Sequence, residues 1–205
     1  SDMALSARAG SVSLQAATAT GTPRVTHVRD FVAMGTQFSV TVVDCDIEVA
    51  AALERRVHKL EASWSRFRDS DLMRANNSPD VAVPVSEDTV RLVRSMRRGW
   101  ELTDGLFDPN VLGEMIDRGF AVSKLDSSHE THWSARATTG ATFADVVLDE
   151  HNGLLTVPSG VGLDPGGIGK GLAADLVVDL GLGLGARGVL VFAGGDVRLA
   201  GLPPV

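Results

Sequence analysis

GLDPGGIGKGLAADLV, residues 162–177, decides how this chain is read. Gly166, Gly167, Gly169 and Gly171 surround Lys170, and an apolar, alanine-rich run follows. Glycines at that spacing describe a tight turn into a helix running to about Leu180. Its first N–H groups are unpaired and carry the positive end of the helix dipole. Lys170 falls in the first turn, where a cation is disfavoured unless an anion compensates it, so the segment suits a bound phosphate. A strand-to-helix turn with a solvated lysine suits the same residues equally well. The Walker-type phosphate loop is excluded twice: Gly171 stands where the Mg²⁺-binding hydroxyl belongs, and Asp164 where the first glycine belongs. Gly183, Gly185 and Gly188 do spell G-x-G-x-x-G, but between a helix and a strand. That is the reverse of the dinucleotide-binding order, so they read as a helix stop and turn.

Working outward, GVLVFAGG (188–195) is a buried strand with DVRLAG as its hairpin partner. DVVLDEHNGLLTV (145–157) is a hairpin, two apolar runs around Asn152-Gly153. Val32 to Val43 alternates, with Phe38, Val40 and Val42 on one side and Gln37, Ser39 and Thr41 on the other, a strand or hairpin. Asp46 is placed to cap a helix whose Val49, Leu53, Val57, Leu60 and Trp64 form one apolar stripe. Ser86 caps a second helix with Val93, Met96 and Trp100 inward, ended by Thr103-Asp104-Gly105. Residues 65–80 read as a polar loop with one helical turn, 106–120 as a turn and short helix, and 121–144 as a loop. Hairpins mixed with helices give an α+β fold, a mixed or antiparallel sheet with packed helices. No linker divides the chain: residues 1–24, rich in Ala, Ser, Thr and Gly, read as a disordered tail or tag remnant, and 25–205 as one domain.

Bulk properties narrow the function. The 205 residues carry a formal net charge of −7, with 44% hydrophobic and 5% aromatic residues and no tyrosine. This argues against nucleic acid or an acidic membrane surface as partner, and any anionic ligand must be held by local cations and dipoles. The single cysteine, Cys45, makes neither an internal disulfide nor a cysteine zinc site. No run approaches the ~18 apolar residues of a transmembrane helix. His129 and His132 lack a third metal ligand nearby and read as a surface loop.

Four ordered segments carry a resemblance: Ala33-Met34-Gly35-Thr36, Phe67 to Asn76 (FRDSDLMRAN), Thr103 to Pro109 (TDGLFDP) and Leu163 to Asp175 (LDPGGIGKGLAAD), with FAGGDVRLAG at 192–201 following. In this order they resemble the ApbE family, the FAD:protein FMN transferases, over roughly residues 32–201. The resemblance implies binding of FAD, Mg²⁺-dependent cleavage of its pyrophosphate, and transfer of FMN to a Thr or Ser hydroxyl of an acceptor flavoprotein, with release of AMP. By residue it implies that Met34, Phe67, Leu106, Phe107 and Asp108 contact FAD. Asp164 and Lys170 would lie around its phosphates and ribose, with Lys170 as the catalytic candidate. Gly167 would offer its carbonyl to the metal, and Asn76 would lie near the site. The chemistry suits these types, since phosphoryl transfer needs positioning and charge stabilisation above all.

Nothing in the sequence matches the family's H-x-x-D-P-x-T-G-like segment, which completes its metal site, so the expected domain is C-terminally incomplete. Two alternatives follow: an FAD pyrophosphatase yielding FMN and AMP, or a non-catalytic FAD-binding module. The compartment stays open. No export signal is visible, which favours the cytoplasm, whereas the resemblance favours an extracytoplasmic, membrane-associated setting.

Overall fold

A computed structural model describes residues 24–123 and 127–204. The expected tail, Arg24 apart, lies outside the described residues. The 32–43 alternation resolves into a hairpin: β1 (Thr26–Ala33) pairs antiparallel with β2 (Thr36–Val43), closed by Met34-Gly35. β2 pairs with β6 (Gly188–Ala193), and β6 with β7 (Asp196–Gly201), giving a four-stranded sheet in the order β1-β2-β6-β7. Phe38, Val40, Val42, Val189 and Val191 all point to one face and are buried there.

That face is covered by α1 (Ile47–Trp64) and α5 (Gly169–Gly183). The Asp46 carboxylate accepts the Glu48 N–H and starts α1. The whole predicted stripe, Val49 to Trp64, is buried, and each such apolar side chain contributes roughly 1.5–3 kcal/mol. α5 lies so close to β6 that a Cβ on Gly181 would sit 2.7 Å from Val189 Cγ2, so only glycine fits. The Gly183–Gly188 motif is the stop and turn expected, ending α5 and entering β6.

A second core lies beyond the C-terminal half of α1. There α2 (Asp71–Asn76), α3 (Glu87–Leu102) and a small sheet of β3 (Val83–Pro84), β5 (Leu154–Thr156) and β4 (Val147–Asp149) enclose Leu72, Leu92, Met96, Phe143 and Leu155. β4 and β5 are the expected 145–157 hairpin. All strand pairs of the two sheets are antiparallel, within an α+β fold. Ser70 and Ser86 cap α2 and α3. Asp71 joins them by accepting the Ser86 N–H at 2.8 Å and the Thr89 hydroxyl at 2.9 Å. Where a loop was expected after residue 120, the described residues include a bridge between Val122 and Glu130 and a 3₁₀ turn at Phe143–Asp145. Trp64 belongs to the second core and Val57 to the first, so α1 spans both; Met34 packs against both as well.

Candidate functional site

The 162–171 segment is held from both sides before it opens α5. The Asn76 side chain, 1% exposed, imitates a strand: its Nδ2 donates to the Leu163 carbonyl and its Oδ1 accepts the Leu163 N–H, both at 2.9 Å. On the other side Asp164 N–H donates to the Pro109 carbonyl, Leu112 N–H to the Gly162 carbonyl, and Gly162 N–H to Asn110 Oδ1. The chain then turns. Asp164 Oδ1 accepts the Gly166 N–H at 2.7 Å, and the Pro165 carbonyl takes the N–H groups of Ile168 and Gly169. No side chain caps α5, and the N–H groups of Gly167, Lys170 and Gly171 meet no acceptor among the described residues. These are the orphan donors of a helix start, and of the three residues Lys170 lines a cavity beside it.

That cavity, about 510 Å³, lies between the start of α5, the Met34-Gly35 turn and the end of α1. It gathers four of the sequence-predicted residues: Met34, Phe67, Asp164 and Lys170. Asp164 is 5% exposed, and its Oδ2 accepts Arg66 Nη1 at 2.9 Å. The Arg66 guanidinium carbon lies 4.7 Å from the centre of the Phe67 ring, a cation–π contact. Lys170 is half-buried, and its side chain makes no hydrogen bond or ion pair among the described residues. Met34 sits at φ 49°, a left-handed conformation uncommon for such a side chain, and its N–H donates to Glu61 Oε1 at 2.8 Å. His58 Nδ1 stands 3.6 Å from the other Glu61 oxygen.

Four predicted residues do not line this cavity. Leu106 is 92% exposed. Asp108 accepts the Asn110 N–H in a local turn, ahead of α4 (Leu112–Met115), which has no side-chain cap among the described residues. Phe107 is a wedge: a Cβ on Gly99 or on Gly167 would each lie 2.9 Å from its ring. Gly167 is thus pressed on Phe107, which fixes the glycine turn from behind.

Other lining residues carried no sequence signal of their own. His58, Glu61 and Trp64 all come from α1, and of these only Trp64 was singled out, as the end of the apolar stripe. Trp64 Nε1 is buried with no acceptor among the described residues. Arg66 and Arg68 flank Phe67, a basic–aromatic–basic triplet that could have marked the site. Phe120 arrives through the π-turn Ile116–Phe120, in which Gly119 takes φ 85°. His129, read as a surface-loop residue, also lines the cavity. A second cavity, about 490 Å³, shares Arg66, Phe67 and Arg68 and extends to Arg74, Asn77 and His132.

Comparison with known proteins places this geometry. In solved structures the fold matches the ApbE protein of Thermotoga maritima MSB8 at 27% identity and TM-score 0.68, covering 85% of this chain and 59% of that one. It matches the flavin transferase ApbE of Vibrio cholerae at 22% identity and TM-score 0.72, covering 88% and 61%. It matches the flavinyl transferase ApbE of Pseudomonas stutzeri at 21% and 0.71, covering 88% and 60%. The chain therefore spans about three fifths of the length of these structures. No curated protein matches it. The ApbE family model matches residues 34–205, most of the chain, and the chain belongs to the ApbE family.

Proposed function

We propose that the chain binds FAD in the cavity between the Met34-Gly35 turn and the start of α5. As part of the whole protein, it transfers the FMN half to a Thr or Ser hydroxyl of an acceptor flavoprotein and releases AMP. One observation carries this beyond family membership. In a chain of net charge −7, the cavity wall holds Arg66, Arg68 and Lys170 against Glu61 and Asp164, beside the open N–H groups of α5. That inversion of local charge suits a dianionic diphosphate, while Met34, Trp64, Phe67 and Phe120 offer apolar surface to a flavin ring.

The acceptor oxygen would attack the flavin-side phosphorus, the bond to the AMP phosphate would break, and the hydroxyl proton would be lost. Lys170 and the α5 N–H groups would offset the charge that develops on the phosphate oxygens. Asp164 would hold the loop and Phe107 would keep Gly167 in place; Leu106 and Asp108 lie outside the cavity and would act from its surroundings. Mg²⁺ belongs to the proposed reaction through the family, with the Gly167 carbonyl as its one candidate ligand here. Among the described residues, however, no three His, Cys, Asp or Glu side chains gather as a cation cluster. These residues do not complete the octahedral oxygen set that Mg²⁺ demands. That observation favours a second reading, an FAD-binding module without turnover.

Incubation with FAD and Mg²⁺, with and without a peptide carrying an acceptor Thr, separates the readings by AMP release and peptide mass. Flavinylated peptide with AMP supports the transferase, AMP without peptide modification supports the pyrophosphatase, and bound FAD without AMP supports the module. Failure to bind FAD overturns all three. EDTA is expected to leave FAD affinity within about twofold, because binding draws on side-chain cations and backbone N–H groups rather than a metal.

A further inference from the structure

Arg66 is the least ordinary residue of the cavity wall. Its side chain is 13% exposed, and it belongs to both cavities at once. Two contacts fix its plane: the single hydrogen bond from Nη1 to Asp164 Oδ2, and the Phe67 ring under the guanidinium. A guanidinium has five N–H donors in a rigid fork. One is used, and the others find no acceptor among the described residues. The unpaired nitrogens are not fully enclosed, so a ligand or water in the cavities can meet them. Asp164 also accepts the Gly166 N–H, so one carboxylate aligns this fork with the glycine turn that opens α5. Lys170, one residue into that helix, faces the same cavity as a point charge on a flexible stem.

We propose that Arg66 is a direct ligand of the diphosphate, and that it makes the site prefer a diphosphate-bearing flavin over a flavin without phosphate. This rests on the FAD reading of the cavity. Arg66 supplies planar, pre-aimed donors to the phosphate oxygens, and Lys170 supplies unfocused charge. Asp164 acts through Arg66 by holding the fork in plane. The stack on Phe67 puts the anion contact next to an aromatic face, so phosphate and ring recognition are joined through neighbouring residues.

The test is the ratio of two dissociation constants, for FAD and for riboflavin, read by fluorescence titration. In Arg66→Gln the Kd for FAD is expected to rise about tenfold or more, as for a lost charge-assisted hydrogen bond, with that for riboflavin unchanged. Arg66→Lys keeps a cation able to pair with Asp164 and is expected to lose part of the FAD affinity; it carries the same ratio test if the glutamine variant does not fold. Equal loss for both flavins would show that Arg66 only supports the wall, and an unchanged FAD Kd would show that it meets no phosphate. Either result overturns the inference while leaving FAD binding intact. If the unaltered chain binds riboflavin as tightly as FAD, the inference also falls. If it binds no flavin, the FAD reading falls with it.

Discussion

The turn joining β4 to β5 and the turn joining β1 to β2 both reverse the chain through positive φ, yet they are built from different materials. The first ends in Gly153 at φ 64°, and the Asn152 amide and side chain both donate to Asp149, at 3.0 and 2.7 Å. It is self-contained, made of residues that favour such turns. The second places Met34 at φ 49° before Gly35 at φ 73°, and its stabilising partner, Glu61, comes from α1, 27 residues away. A bulky side chain in that region costs of order 1–3 kcal/mol and persists only where surrounding structure enforces it. The ordinary turn lies away from the cavity and the strained one forms its rim, so strain and cavity wall coincide.

Breaking the remote clamp should have the largest effect. Glu61→Leu leaves the Met34 N–H without its charged acceptor, a loss of about 1.5–3 kcal/mol. FAD affinity should fall about tenfold or more by fluorescence titration. An unchanged affinity would mean that the rim is not tuned to a ligand. Gly153→Ala is the counterpart at the ordinary turn. Positive φ and a Cβ 3.2 Å from the Val85 carbonyl should cost about 1–2 kcal/mol in urea denaturation with FAD affinity unaltered. Met34→Gly should change stability by less than about 1 kcal/mol, strain relief being offset by lost packing and added chain entropy. FAD affinity should still fall severalfold, since the side chain forms the rim. Full affinity in that variant would assign Met34 to packing alone.

The smallest effect is a pH dependence confined to the ordinary turn. Hydrogen bonds from Asn152 hold the Asp149 carboxyl below the usual carboxylate range. A depressed carboxylate contributes stability above its unfolded pKa and loses it as pH falls through the folded pKa. Asp149→Asn should therefore be slightly less stable than the parent at pH 7. The difference should vanish in denaturation below the ordinary Asp range, and a gap persisting there would rule out the carboxylate as its source.

The two turns also show what a sequence discloses. Asn152-Gly153 between apolar runs announces a hairpin because its signal is local. The α1 stripe and the caps Asp46 and Ser86 are equally local, and all appear where periodicity put them. Met34, Phe67, Asp164 and Lys170, named from separate motifs, line one cavity. Glu61 and Arg66 were hidden because their contacts lie far along the chain: Glu61 meets Met34, and Arg66 meets Asp164, 98 residues on. Asn76 was assigned near the site, but its pairing with the Leu163 backbone exists only in three dimensions. Leu106, Phe107 and Asp108 share a segment, and none of the three lines the cavity.

The Phe107 wedge extends this to inheritance. Gly99, Phe107 and Gly167 belong to three separate segments but one volume, and a Cβ on either glycine, 2.9 Å from the ring, would force a shift. Enlarging any one of them first passes through a misfit, so the three positions are free to drift only in concert. Among divergent homologues they should behave as a single inherited character, with a smaller residue at 107 accompanying any side chain gained at 99 or 167.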